Sequence, residues 1–108
     1  MPAIRPERLK NQAIALAEHF ADPPTYLRGM HNLMDYYADR ARRQGQAGRP
    51  GPLIEAYNVR PPVLRALLQQ LLPRAGQDRD IALRLCDALW EVPYLEFRQL
   101  AAMLLGRL

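Results

Sequence analysis

Apolar residues recur at three- and four-residue steps along much of this chain, the spacing of one face of an α-helix. The first such segment begins at Pro6, which suits the first turn of a helix because proline has no N–H to leave unpaired there. Asp22-Pro23-Pro24 ends this helix and begins the next, since a residue before proline avoids helical backbone angles. The predicted buried face of this first helix consists of Leu9, Ala13, Leu16, Ala17 and Phe20.

A second helix is predicted from about Pro24 or Thr25 to Arg43. Its apolar face consists of Tyr26, Met30, Leu33, Met34 and Tyr37. The segment 44–52, QGQAGRPGP, holds three glycines and two prolines and is therefore predicted to be a loop. After it, Leu53 to Tyr57 is predicted to form one helical turn that returns to the core.

Three further helices are predicted in the second half of the chain. The third runs from Pro62 to about Arg74, with Arg65 and Gln69 four residues apart on its polar face. Its buried stripe consists of Val63, Leu64, Leu67, Leu68, Leu71 and Leu72. The fourth helix covers residues 79–91 with Asp78 as its N-cap. Val92-Pro93 breaks it, and the fifth helix takes the chain from Tyr94 to its last residue.

No segment alternates with a period of two, so no strand is predicted and the fold class is all-α. Short corners between the helices favour antiparallel pairs. Helices three to five are interpreted as successive layers of an α-α superhelix rather than as a closed bundle. Residues 1–108 are expected to form one such helical domain, about five helices long.

The positive net charge of the chain is compatible with phosphate binding but does not by itself establish it. Fifteen basic against eleven acidic residues give a net charge of +4, and fourteen of the fifteen are arginine. Arginine suits bidentate phosphate contacts, but a GC-rich genome would also replace lysine by arginine. Charge alone therefore leaves nucleic-acid binding and an ordinary solvated surface equally favoured.

The sequence offers few candidate catalytic or metal-binding residues. The single cysteine, Cys86, is predicted to be a small buried residue, and neither His19 nor His31 has a second ligand at metal spacing. We therefore expect no cofactor, no metal site and no catalytic residues, and exposed or capping roles for the two histidines. The sequence has no signal peptide and no apolar run long enough to cross a membrane, so a cytoplasmic location is expected.

Two further residues are assigned structural roles. Trp90 follows Leu85 and Leu89 and is predicted to pack in the core rather than to stack on a base. Glu96 lies in the first turn of the last helix, where a carboxylate opposes the helix dipole and can accept hydrogen bonds from backbone amides.

Three motifs follow one another in residues 57–108. The entry Asn58-Val59-Arg60-Pro61-Pro62-Val63-Leu64-Arg65 leads into the third helix, and Leu89-Trp90 near the end of the fourth helix precedes a corner. The final helix carries Glu96-Phe97-Arg98 and the run of Ala101, Ala102, Leu104 and Leu105. In this order and spacing, residues 57–108 resemble the DNA alkylation repair family of HEAT-like alkylpurine DNA glycosylases. The family's entry is Gly-Val/Ile-x-x-Pro-x-x-Arg, and this chain has asparagine in place of the usual glycine.

The resemblance implies a superhelix whose concave, basic face holds duplex DNA mostly through its backbone. Family geometry would place the third and fifth helices on that face. The predicted DNA-binding residues are Arg65, Gln69, Arg98 and Gln99.

The family's catalytic aspartate and its neighbouring tryptophan lie in the helix pair beyond the one that ends this chain. No aspartate follows Trp90 within a helical turn. The resemblance therefore implies that this chain is the N-terminal portion of such a superhelix and is inactive alone.

The alternative is a non-enzymatic HEAT-like module that binds a protein or itself. The apolar residues of the last helix, from Leu100 to Leu108, are spread too widely around its axis for one-sided burial. This spread predicts a homodimer, or contact with further C-terminal repeats, through residues 94–108.

Overall fold

The computed structural model describes residues 3–38 and 54–108, whose fold class is all-α, as predicted. Five α-helices follow one another in this part of the chain. They are α1 (Pro6–Ala17), α2 (Pro23–Tyr37), α3 (Pro61–Gln77), α4 (Arg79–Glu91) and α5 (Leu95–Leu105). The predicted loop at 44–52, Leu53 and the predicted last turn of the second helix, residues 39–43, lie outside the described residues.

The helices stack in two layers, the arrangement expected of a helical solenoid. In one layer α1 packs on α3 and α3 packs on α5; in the other α2 packs on α4. Helices that are consecutive in the chain join the layers, through the contacts of α1 with α2, α3 with α4 and α4 with α5. The third and fifth helices, predicted to share a face, thus lie side by side in one layer.

One continuous apolar core lies between the layers. All five residues of the predicted α2 face are buried, and so are all five of the predicted α1 face. The largest side chains that are almost completely buried include Tyr26, Tyr37, Phe97, Met30 and Met34. The hydrophobic periodicity therefore places most of the core correctly.

Local sequence sets most helix starts. Proline occupies the first turn of α1, α2 and α3, where its missing N–H costs nothing. Asp78 caps α4, as predicted: its carboxylate accepts a hydrogen bond of 3.1 Å from the backbone N–H of Ile81. Tyr94 has extended backbone angles and precedes α5 instead of starting it.

The predicted C-terminal ends of three helices are wrong. The α-helix α1 ends at Ala17, and residues 18–21 form turns that still bury Phe20. The helix α3 continues through Pro73 to Gln77, beyond its predicted end near Arg74, and Ala75, only 2% exposed, is held in the core. The helix α5 ends at Leu105 instead of at the last residue.

The segment before α3 forms no helix over residues 54–60, which contradicts the predicted helical turn over 53–57 for the part of it that the structure describes. The backbone N–H of Glu55 donates to the carbonyl of Pro93 at 3.3 Å, and the N–H of Leu95 donates to the carbonyl of Glu55 at 2.7 Å. This isolated bridge pairs the segment with the corner between α4 and α5. A partner so distant in the chain overrides the local helical pattern.

Across residues 3–38 and 54–108, none of the helices combines the length and the apolar character that crossing a bilayer requires.

Candidate nucleic-acid interface

Arg65 and Gln69 lie on the exposed side of α3, as their spacing predicts. Both line a groove of about 560 Å³ between α1 and α3. Lys10 of α1 and Gln70 of α3 line the same groove, together with apolar residues such as Leu9. This groove carries two cations and two amides, and none of the described residues that line it is acidic.

Arg65 also borders a second groove, on the other side of α3. This groove has a volume of about 530 Å³, lies between α3 and α5, and is lined by Gln99 as well as by Leu64 and Met103. Three of the four predicted DNA-binding residues, Arg65, Gln69 and Gln99, therefore belong to one strip that crosses the α1–α3–α5 layer. Arg65 stands at the shared edge of the two grooves.

Arg98 faces a different part of the molecule. Its Nε donates a hydrogen bond of 3.0 Å to the backbone carbonyl of Trp90, and its guanidinium carbon lies 5.2 Å from the centre of the Trp90 ring. This is a cation–π arrangement between α5 and the end of α4. The structure thus does not bring Arg98 together with Arg65, and its predicted contact with DNA remains a prediction.

Trp90 is 53% exposed, so its predicted packing in the core is wrong. The reason is the helical register. Leu85 and Leu89 are both completely buried, and the step from Leu89 to Trp90 rotates the side chain by about 100° around the helix axis, out of the core.

Cys86 lies on the buried side of α4 and is 5% exposed, as predicted. Its burial raises the pKa of its thiol, and the negative charge of the neighbouring Asp87 raises it further.

Glu96 is buried and fastens the entry of α3 to the start of α5. Its two carboxylate oxygens accept hydrogen bonds of 2.9 Å from the backbone N–H groups of Tyr57 and Asn58. The expectation that Glu96 accepts backbone amide hydrogens is thus met, but by donors on a segment far away in the chain. Glu96 also lines the α3–α5 groove, where these two donors offset its charge.

Asn58 has a left-handed backbone, with φ of 59°. Glycine adopts this conformation without steric cost, and asparagine tolerates it better than most other residues. This conformation explains why asparagine stands at position 58, where the family that the chain resembles carries glycine. It also turns the N–H of Asn58 toward the same carboxylate that binds the N–H of Tyr57.

His31 is partly buried in an aromatic cluster, which corrects its expected exposed or capping role. Its Nδ1 shares a hydrogen bond of 2.8 Å with the hydroxyl of Tyr57. The His31 ring also contacts Phe97, with ring centres 4.4 Å apart, and meets Tyr94 edge-on at 5.4 Å. Burial lowers the pKa of His31 below its ordinary value of 6.5.

Lys10 and Gln70 are the interface residues that the sequence did not single out. Lys10 lies on the polar side of α1 and is the chain's only lysine. Helix periodicity identifies the exposed face of α1, but the packing of α1 on α3 is what places Lys10 beside Arg65.

Among residues 3–38 and 54–108, no three His, Cys, Asp or Glu side chains gather as a metal site would require.

A comparison with known families agrees with the resemblance read from the sequence. The family model described as DNA alkylation repair enzyme matches residues 32–108. This match reaches further toward the N-terminus than the predicted 57–108, into α2. No curated protein and no solved structure matches the chain. Because the family match covers well over half of its length, this chain belongs to the DNA alkylation repair enzyme family.

Proposed function

We propose that this chain is a HEAT-like scaffold of a DNA alkylation repair-type protein. In this proposal the α1–α3–α5 layer helps to hold duplex DNA through its phosphate backbone. The described helices are assigned a role in holding DNA and no step of the chemistry. The proposal combines the family membership with the position of the cations on that layer.

The position of Arg65 is the observation that carries the proposal. An arginine on a groove edge can reach a phosphate that lies across either groove, because its planar guanidinium presents several donors at the end of a long side chain. Lys10 lies across one groove from it, and Gln99 lies across the other. Two cations flanked by amides suit a phosphate backbone better than they suit base edges, so we expect affinity without sequence preference.

Charge and burial on this layer support the same function. The chain has a net charge of +4. The carboxylate that lines the strip, Glu96, is 3% exposed and accepts two backbone hydrogen bonds, so it presents little free negative charge to a ligand. The strip therefore offers a phosphate its cations and amides without a competing exposed acid.

Binding of a labelled duplex at several salt concentrations tests the proposal. We expect weak binding that strengthens as salt is lowered, because each phosphate contact releases counterions. The Arg65→Ala variant should weaken binding to unrelated duplexes equally and reduce the salt slope by about 1. Fluorescence anisotropy measures both quantities.

Arg84→Ala is the matched control. It removes the same charge from an exposed position on α4, in the other layer. If both variants weaken DNA binding to a similar extent, the duplex is held by general electrostatic attraction. That result would argue against a defined interface at Arg65. Absence of binding even at low salt would overturn the proposal and favour the protein-interaction module.

A further inference from the structure

Another groove lies on the opposite flank of α5, away from Arg65. It has a volume of about 440 Å³ and is formed by α4 and α5. Its floor includes Cys86 and Ala101, which are small and almost fully buried, and its walls include Leu83, Trp90 and Leu105. Trp90 and Leu105 are 53% and 54% exposed, the two most exposed large apolar side chains in the described part of the chain.

The stacking order of the helices identifies this groove as a seat for another helix. The helix α4 packs on α2 and α3, and α5 packs on α3 and α4. Continued by one step, the same rule places the next helix on α4 and α5. Within residues 3–38 and 54–108, no helix takes that place.

We infer that a second copy of this chain occupies the α4–α5 groove, in a two-fold symmetric dimer. Such a dimer requires one patch that is complementary to itself. The patch contains both protruding side chains, Trp90 and Leu105, and the small-floored groove that could receive them. It spans α4 and α5, so it differs from the predicted surface at 94–108, in which Leu100 and Leu104 are completely buried and cannot contribute.

The charges at the patch are also self-complementary. Asp87 lines the groove from α4, and Arg98 reaches the same edge from α5, where it covers the Trp90 ring. A two-fold axis through the patch lets Asp87 of each copy face Arg98 of the other. An acidic residue in the groove also disfavours nucleic acid as its occupant. The inference is independent of the proposed DNA-holding role, since it uses the other flank of α5.

Sedimentation analysis of the 108-residue chain over a wide concentration range tests the inference. We expect a monomer–dimer equilibrium. Leu105→Glu should weaken it by roughly tenfold or more, because the new carboxylate would be buried without a partner. Ile14→Glu, a change at an exposed apolar position on α1, is the control and should leave the equilibrium unchanged. A strictly monomeric wild type, or a dimer that survives Leu105→Glu, overturns the inference.

Charge reversal tests the symmetry itself. Asp87→Arg and Arg98→Asp should each weaken the homodimer, because each places like charges opposite one another twice. Mixed in equal amounts, the two variants should form a heterodimer, since both pairs then regain opposite charges. Failure of the mixture to associate more tightly than either variant alone would contradict the two-fold arrangement.

Trp90 provides an independent readout because it is the only tryptophan of the chain. Its emission should be that of an exposed indole in dilute monomer and should shift to shorter wavelength as the dimer forms. An emission that is already blue-shifted in dilute monomer would mean that the chain covers the groove itself. A shift on adding duplex DNA to the monomer would make the groove a DNA contact. Either result would overturn the dimer.

Discussion

Both carboxylate oxygens of Glu96 bind backbone amides, so one side chain joins the entry of α3 to the start of α5. Replacing it with alanine removes the acceptor that binds the N–H groups of Tyr57 and Asn58. We expect Glu96→Ala to lower the free energy of unfolding by about 2–4 kcal/mol, since two charge-assisted hydrogen bonds to backbone amides are lost. Urea denaturation followed by circular dichroism measures the change.

Glu91→Ala controls for the loss of a carboxylate, because Glu91 is exposed at the end of α4. It should change the free energy of unfolding by no more than about 0.5 kcal/mol. Equal effects of the two substitutions would show that Glu96 does not fasten the segment.

His31 should make stability depend on pH. Burial lowers the pKa of His31 below 6.5, so the unfolded chain takes up a proton at a pH at which folded His31 is still neutral. The free energy of unfolding should therefore fall as the pH drops below about 6.5 and level off below the folded pKa. Urea denaturation at a series of pH values measures this profile.

The profile can be assigned by substitution. In His31→Gln the decrease attributed to His31 should disappear, whereas His19→Gln, a change at the exposed histidine, should keep the wild-type profile. A decrease that remains in His31→Gln would assign the pH dependence to another group.

At the scale of the element, α4 combines a buried face with an exposed tryptophan. Leu89 is completely buried and Trp90 is about half exposed. We expect Leu89→Ala to cost about 2–5 kcal/mol, as truncation in a packed core does. Trp90→Ala, measured in dilute monomer, should cost about 1 kcal/mol or less although it removes a larger side chain. The reverse order of the two effects would place Trp90 in the core.

The elements that the sequence predicts well are those whose own periodicity decides their burial. The α2 face from Tyr26 to Tyr37 and the capped helix α4 need no knowledge of distant partners. The irregular segment at 54–58 is different. Glu55 pairs with the corner at 93–95, and the N–H of Asn58 finds the carboxylate of Glu96. These contacts join residues almost forty positions apart, which local periodicity does not report.

The candidate site is also only partly predictable from local periodicity. The four-residue spacing of Arg65 and Gln69 on α3 is enough to predict that they share one exposed face. Whether Arg98 joins them depends on a contact with Trp90, and whether Lys10 joins them depends on the packing of α1 on α3. Residue type and periodicity identify exposed cations, whereas only the packing of helices shows which cations share a groove.

At the scale of the whole molecule, two-layer stacking separates two surfaces. The α1–α3–α5 layer carries the strip around Arg65, and the α4–α5 flank carries the exposed Trp90 and Leu105. Under the two proposals, DNA would bind the basic strip and a second copy the apolar groove, on different flanks and therefore without competing. In this account a dimer brings together two DNA-holding strips, and avidity strengthens binding to a longer duplex.

The central claim is that the α1–α3–α5 layer meets duplex DNA, and amide chemical shifts of a ¹⁵N-labelled chain test it most directly. Titration with a short duplex at low salt should perturb the residues around Lys10, Arg65, Gln69 and Gln99 and leave the exposed faces of α2 and α4 unchanged. The perturbations should disappear as salt is raised. Shifts confined to α2 and α4, or no shifts at low salt, would contradict the account.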